Sequence, residues 1–205
     1  YNQIPGIRLV SVCSARQESR DSFARSFGFE RSQSFRDFIR SEDINTVYIM
    51  GTNNSHFDEF KAAMEMPSVE RIYLEKPVCS DEAEEREMSA LMKGSRKDVQ
   101  VGFQYLQTPA VREALGFWRT GLLGTPVHFD LKYYHGDYLR REYRDKRKTR
   151  LTPAPDGGAM ADLGSHGISL LTAFLGNGLQ MVGAVQSGHF EGVPEGSDLF
   201  SSVSL

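Results

Sequence analysis

The run Gly157-Gly158-Ala159-Met160-Ala161-Asp162-Leu163-Gly164-Ser165-His166 is the densest set of side chains able to do chemistry in this chain. Its glycines let backbone approach a ligand closely. On a helix, Asp162 and His166 fall at i and i+4 and share a face. An imidazole exchanges protons near neutrality, and a neighbouring carboxylate can fix its orientation, so the pair suits a general base with its orienting group. An Asp-capped helix with one satisfied histidine is the plainer reading of the same residues. A zinc pair is a third reading, but no further ligands stand at suitable spacing, so no metal is expected.

Glu75-Lys76-Pro77 comes second. A charged pair at the mouth of an apolar strand, followed by proline, is hard to explain by packing. Proline fixes φ and removes a donor, which makes a rigid elbow that aims Lys76. A partly desolvated ammonium there can hydrogen-bond a substrate hydroxyl; a surface ion pair is the alternative.

Three further turns could hold a dinucleotide. At Ser14-Ala15-Arg16 a dinucleotide site usually carries an acid for the ribose 2′-hydroxyl. Ser14 and Arg16 instead suit a 2′-phosphate, which favours NADP over NAD. A capping turn with a solvated Arg16 explains them equally well. In Gly51-Thr52-Asn53-Asn54-Ser55-His56, the side chains of Thr52, Asn53 and His56 could line a cofactor beside a helix N-terminus, or merely cap that helix. In Gly102-Phe103-Gln104-Tyr105, Gln104 could face the nicotinamide.

The elements that must carry these turns follow from periodicity. Ile7–Val12, Thr46–Met50, Arg71–Leu74 and Val99–Phe103 read as short apolar strands. Between them lie helices with Phe23, Ala24 and Phe27, then Phe35, Phe38 and Ile39, then Phe57, Phe60 and Met64, then Met88, Leu91 and Met92 on their inner faces. Gly28, Ser34 and Asp81 stand where caps belong. Strands separated by helices predict a doubly wound parallel sheet, and ligands of such sheets sit beyond the strands' carboxyl ends. After Pro109 the character changes. A stripe of Val111, Ala114, Leu115 and Trp118 ends at Gly121, and strict alternation over Val127–Tyr134 predicts a strand with one covered face. A helix near 165–175 and strands over Leu179–Ser187 and Ser197–Leu205 complete an α+β part with a mostly antiparallel open sheet. The expected domains are 1–108 and 109–205, the second incomplete because the chain stops inside a strand.

The 205 residues carry 24 Lys and Arg against 27 Asp and Glu, a net charge of −3. That balance argues against an obligatory nucleic-acid partner. No run approaches a membrane span, no signal peptide is visible, and the first residue is not Met. Two cysteines, Cys13 and Cys79, read as buried free thiols, which suits a reducing cytoplasm. Arg140, Arg141, Arg144, Lys146, Arg147, Lys148 and Arg150 crowd one segment. A solvated loop is the default explanation, and an anionic substrate or partner subunit the sharper one.

Glu75-Lys76-Pro77, Gly102-Phe103-Gln104 and Gly157-Gly158 through Asp162 and His166, in this order and these strand contexts, resemble the glucose–fructose oxidoreductase/inositol dehydrogenase (Gfo/Idh/MocA) family. The resemblance runs from about Ile7 to the C-terminus. It implies a Rossmann domain followed by an α+β domain with a large open sheet. It implies NAD or NADP as cofactor, a sugar, cyclitol or related polyol as substrate, and a homo-oligomer, dimer or tetramer. By motif, Lys76 would bind the reacting hydroxyl, His166 would take its proton, and Asp162 would orient substrate or imidazole. Glu75 and Lys76 would also border the cofactor. The family's first strand and Gly-x-Gly-x-x-Gly turn have no counterpart here. Leu106 stands where an arginine is common, and Ser169 where an acid is. A non-enzymatic regulator that senses a dinucleotide or sugar is the alternative, and redox-assisted hydrolysis a third function. Retention of Lys76, Asp162 and His166 together speaks against a mere sensor.

Overall fold

In the computed structural model, residues 4–137, 140–144, 158–187 and 198–205 are described. Gly157 and the basic residues Lys146, Arg147, Lys148 and Arg150 lie outside them. The residues group into two units, Tyr1–Val101 and Gly102–Leu205.

The first unit is built on parallel strands joined by helices. β3 (Thr46–Ile49), β4 (Arg71–Leu74) and β5 (Asp98–Val101) form one sheet, with β4 hydrogen-bonded on both sides. Val47 pairs with Ile72 and Ile72 with Val99, so branched side chains stand level across the sheet. Helix α3 (His56–Glu65) crosses from β3 to β4, and α4 (Glu82–Lys93) from β4 to β5. Val47, Ile49, Ile72 and Leu74 point into a core with Phe60, Ala63, Met66 and Met88, and Phe60 and Leu74 are fully buried. Burial of such side chains is worth roughly 1.5–3 kcal/mol each.

β1 (Ser11–Cys13) and β2 (Arg31–Gln33) pair in parallel as a second, two-stranded sheet, with α1 (Gln17–Phe27) between them and the one-turn α2 (Phe35–Phe38) after β2. No ladder hydrogen bonds join this pair to β3–β5. The caps fall as their residue types dictate. Gly28 takes a left-handed φ of 75° and donates its N–H to the Ala24 carbonyl, Ser34 accepts from the Asp37 amide, and Asp81 accepts from the amides of Ala83 and Glu84. Lys97 donates to the carbonyl oxygens of Ala63 and Met66, which closes the end of α3.

Several expectations need correction. The strand expected over Ile7–Val12 narrows to Ser11–Cys13, because among the described residues its ladder partner is the three-residue β2. The parallel strands are not uniformly buried. Tyr48 and Tyr73 share the face opposite the core and stack 5.2 Å apart, since successive side chains of a strand alternate. Phe23 and Phe27 stack on each other at 4.4 Å yet stay half-exposed, so Ala24 alone is buried on α1. Met92 faces solvent, and Met88 is the buried residue of α4.

The second unit begins before Pro109. The 3₁₀ turn Gln104–Gln107 packs against α5 (Pro109–Arg119) and α7 (Ser165–Leu175), which draws Gly102–Thr108 into this unit. Proline opens α5 where its missing N–H costs nothing. Trp118 and Phe129 both pack on Phe174 of α7, at 5.5 and 5.8 Å. α6 (Arg141–Arg144) is a single turn. β6 (Gly183–Ser187) and β7 (Phe200–Ser204) pair antiparallel. The expected strand over Val127–Tyr134 has no regular secondary structure and no ladder partner among the described residues. Its alternation survives as packing, since Phe129 and Leu131 turn inward while Val127 is exposed. Among the described residues no helix is long and apolar enough to cross a membrane.

Candidate active site

Asp162 sits in a π-turn, Met160–Gly164, that runs directly into α7, where His166 occupies the second position. Both are buried, at 8% and 5% exposure. A π-turn widens the helix by one residue and is a frequent mark of functional positions. At Gly164 the Met160 side chain lies where a Cβ would stand, so the thioether packs directly on the backbone of the turn. The next turn is held by Ser169, whose hydroxyl donates to the His166 carbonyl at 2.7 Å.

The start of the π-turn is fixed from far along the chain. Asp198 accepts the Met160 amide at 2.8 Å through its carboxylate, and its backbone carbonyl accepts the Ala159 amide at 3.0 Å. The Ser201 hydroxyl donates to the same carboxylate at 2.5 Å.

Aromatic rings wall the histidine. Tyr105 meets the imidazole edge-on at 4.7 Å, and Phe103 at 6.2 Å. The Tyr105 hydroxyl lies 2.5 Å from that of Tyr133, on the segment that follows α5. Tyr133 is held protonated to about 12, first by its hydrogen bond with Tyr105, then by burial and by nearby charge that includes Asp162. Asp162, His166, Tyr105 and Tyr133 thus belong to one cluster. Sequence reading missed both tyrosines and Asp198. Tyr133 lay in a run read only for its alternation, and nothing local marks a contact 38 residues long.

In the first unit, the turns at the strands' carboxyl ends are placed as follows. Ser14 and Arg16 lie exposed after β1, where Arg16 is the residue before α1 and its side chain makes no cap. The Ser14 carbonyl accepts from Arg20 at 3.2 Å. Thr52 is exposed and its hydroxyl donates to the Asn54 side chain at 2.8 Å, while Asn53 is half-buried in a 3₁₀ turn. His56 is fully buried, with Nδ1 2.7 Å from the Pro77 carbonyl and Nε2 3.3 Å from the Gly51 carbonyl. Both ring nitrogens face backbone carbonyls, one of which takes the single N–H of either tautomer, so the buried ring packs the Gly51 turn against the Lys76-Pro77 turn. The Glu75 carboxylate accepts from the Tyr73 hydroxyl at 3.1 Å, and its amide continues the sheet to the Ile49 carbonyl. Lys76 is half-buried, and the Lys76–Pro77 peptide is cis. Gln104 is exposed in the second unit, with its amide bonded to the Gly102 carbonyl at 2.9 Å. An exposed guanidinium beside a hydroxyl, at the N-terminus of an eleven-residue helix, is a donor set that fits a phosphate.

Residues 1–103 match the oxidoreductase family with an NAD-binding Rossmann fold, and residues 111–205 match the GFO/IDH/MocA C-terminal domain. The chain belongs to the GFO/IDH/MocA oxidoreductase family. It is 30% identical to levoglucosan dehydrogenase of Pseudarthrobacter phenanthrenivorans over 170 residues, which is 80% of this chain and 42% of that protein. A solved levoglucosan dehydrogenase in complex with NADH and levoglucosan superposes with a TM-score of 0.72 at 26% identity, over 88% of this chain and 48% of that one. The fold is also that of myo-inositol 2-dehydrogenase from Lactobacillus plantarum, with a TM-score of 0.73 at 22% identity, over 92% and 54% of the two chains. The chain spans about half the length of the relatives it matches.

Proposed function

We propose that the protein is an oxidoreductase that transfers hydride between a nicotinamide dinucleotide and a hydroxyl or carbonyl of a sugar, cyclitol or related polyol. The observation that carries this reading is the buried Asp162 and His166 across the π-turn, walled by rings. A carboxylate and an imidazole withdrawn from bulk water can hold and pass a single proton. The relatives named for levoglucosan and for inositol support the polyol class.

A nicotinamide dinucleotide, when bound, supplies the hydride acceptor or donor. Lys76 donates a hydrogen bond to the reacting oxygen. His166 takes the hydroxyl proton on a ring nitrogen as the carbinol becomes a carbonyl, and returns it in the reverse direction. Asp162 orients the substrate or the imidazole. Ser14 and Arg16 bind a 2′-phosphate, so NADP is the preferred cofactor and NAD the alternative. Thr52, Asn53 and Glu75 border the dinucleotide on turns that His56 holds, and Gln104 faces the nicotinamide.

In this reading residues 1–108 bind the dinucleotide, and residues 109–205 bind substrate and form a homo-oligomer, dimer or tetramer. Cys13 and Cys79 are free and half-buried, with burial raising both thiols, which suits a reducing compartment such as the cytoplasm.

The test is a titration of the full-length protein with NADPH and NADH, followed by nicotinamide fluorescence, and then a screen of sugars and polyols for net cofactor turnover. Turnover with a polyol supports the reading. Failure to bind either dinucleotide overturns it in favour of a regulator.

A further inference from the structure

Beside the buried acid and imidazole, the second unit carries a feature that proton transfer does not use. Two phenols from separate segments meet hydroxyl to hydroxyl at 2.5 Å, Tyr105 from the 3₁₀ turn and Tyr133 from the irregular segment after α5. Their positions are fixed independently. The Tyr105 ring is wedged edge-on against His166 at 4.7 Å. The segment of Tyr133 is anchored two residues earlier, where Leu131 packs so closely on α7 that a Cβ at Gly167 would stand 3.2 Å from it. Tyr133 stays 37% exposed, whereas Asp162 and His166 are buried.

Two hydroxyls hold two O–H donors, and the bond between them uses one. The other donor remains, with lone pairs on both oxygens. The bond to Tyr105, then burial, and last the nearby charge that includes Asp162 keep Tyr133 protonated, so the pair acts as a neutral donor–acceptor and not as a base. A secondary hydroxyl, itself donor and acceptor on one atom, is the group that complements it. Apolar walls of Phe103 and Tyr105 suit the carbon face of a ring carrying that hydroxyl.

We infer that Tyr133, positioned by Tyr105, binds a second hydroxyl of the substrate, one that does not react, and so selects polyhydroxylated rings over simple alcohols. This rests on the proposed polyol oxidoreductase and names a specificity residue for it. Tyr133 touches substrate; Tyr105 acts through it.

The experiment pairs enzyme and substrate changes in the full-length protein. Wild type, Tyr133→Phe and Tyr105→Phe are assayed with NAD and NADP on myo-inositol, levoglucosan and their monodeoxy analogues. In wild type, one deoxy analogue of the accepted polyol should lose about 10- to 100-fold in kcat/KM. Tyr133→Phe should lose as much on the parent polyol, mainly in KM, and should no longer discriminate against that analogue. Tyr105→Phe should show the same loss of discrimination to a smaller degree. Equal slowing on parent and all analogues would mean a merely structural role and would overturn the inference, as would unchanged kinetics.

Calorimetric binding of the same polyols separates the two readings. Wild type that binds a polyol but turns none over, with binding lost in Tyr133→Phe, removes the oxidoreductase and keeps the hydroxyl subsite. No binding to wild type removes both.

Discussion

The Nδ1 of His56 lies 2.7 Å from the carbonyl oxygen of Pro77, while its Nε2 faces the Gly51 carbonyl at 3.3 Å. A buried imidazole thereby joins the turn after β3 to the turn that carries Lys76. His56→Ala should lower stability by about 2–4 kcal/mol, since it opens a cavity at a fully buried side chain and removes the one N–H that the ring gives to a backbone carbonyl. Denaturant unfolding of the full-length protein measures this. A loss below about 0.5 kcal/mol, the ordinary range for surface changes, would remove the tether from the account.

Lys76→Ala and His166→Ala should each reduce turnover by about 10²-fold or more, with the far-ultraviolet circular dichroism of the fold unchanged. Full activity in either variant rules out the proposed reaction centre.

Arg16→Ala should weaken NADPH by about tenfold or more and leave NADH within about twofold, because only the 2′-phosphate meets the guanidinium. Fluorescence titration reads both constants. Equal weakening of the two cofactors would return Arg16 to the role of a helix-start residue.

Asp198→Ala should cost about 1–3 kcal/mol and depress kcat, since the Met160 amide, which leads the π-turn, loses its acceptor. Asp198→Asn keeps an acceptor oxygen and should recover most of both. If alanine leaves kcat unchanged, Asp198 does not position Asp162.

Tyr133 carries a pH prediction. Its folded value, raised to about 12, exceeds that of the unfolded chain. The stability this provides is therefore complete below the ordinary tyrosine value near 10 and is lost as pH rises through about 12. Tyrosinate absorbance should show one late-ionising phenol, and Tyr105→Phe should bring it back toward the ordinary range. An unchanged titration in that variant would refute the phenol pair.

Much of the fold was legible because local rules decided it. Gly28, Ser34 and Asp81 cap where their types predict, and β1, β3, β4 and β5 fall where apolar runs stand between amphipathic helices, whereas β2, Arg31–Gln33, has no apolar residue to mark it. What failed depended on partners. Val127–Tyr134 alternates like a strand, yet a strand exists only where another chain segment completes its ladder. Phe23 and Phe27 have the spacing of a core stripe but cover each other instead. In the candidate site, the spacing of Asp162 and His166 was visible, but the π-turn that carries Asp162 was not, since its first amides are held by Asp198, 38 residues away from Met160. The contacts of Tyr105 with Tyr133 and of Met160 with Asp198 join distant segments, which no local pattern encodes.

Gly158 adopts a φ of +89°, and a Cβ there would collide with the Asp198 carboxylate. Two locks therefore guard one position. Removing the acid clears the space but leaves a left-handed backbone that costs an L-residue about 1–2 kcal/mol. No single compensating change at Asp198 frees the site, so a mutational path that fills position 158 must also rebuild the entry to the helix that carries Asp162 and His166.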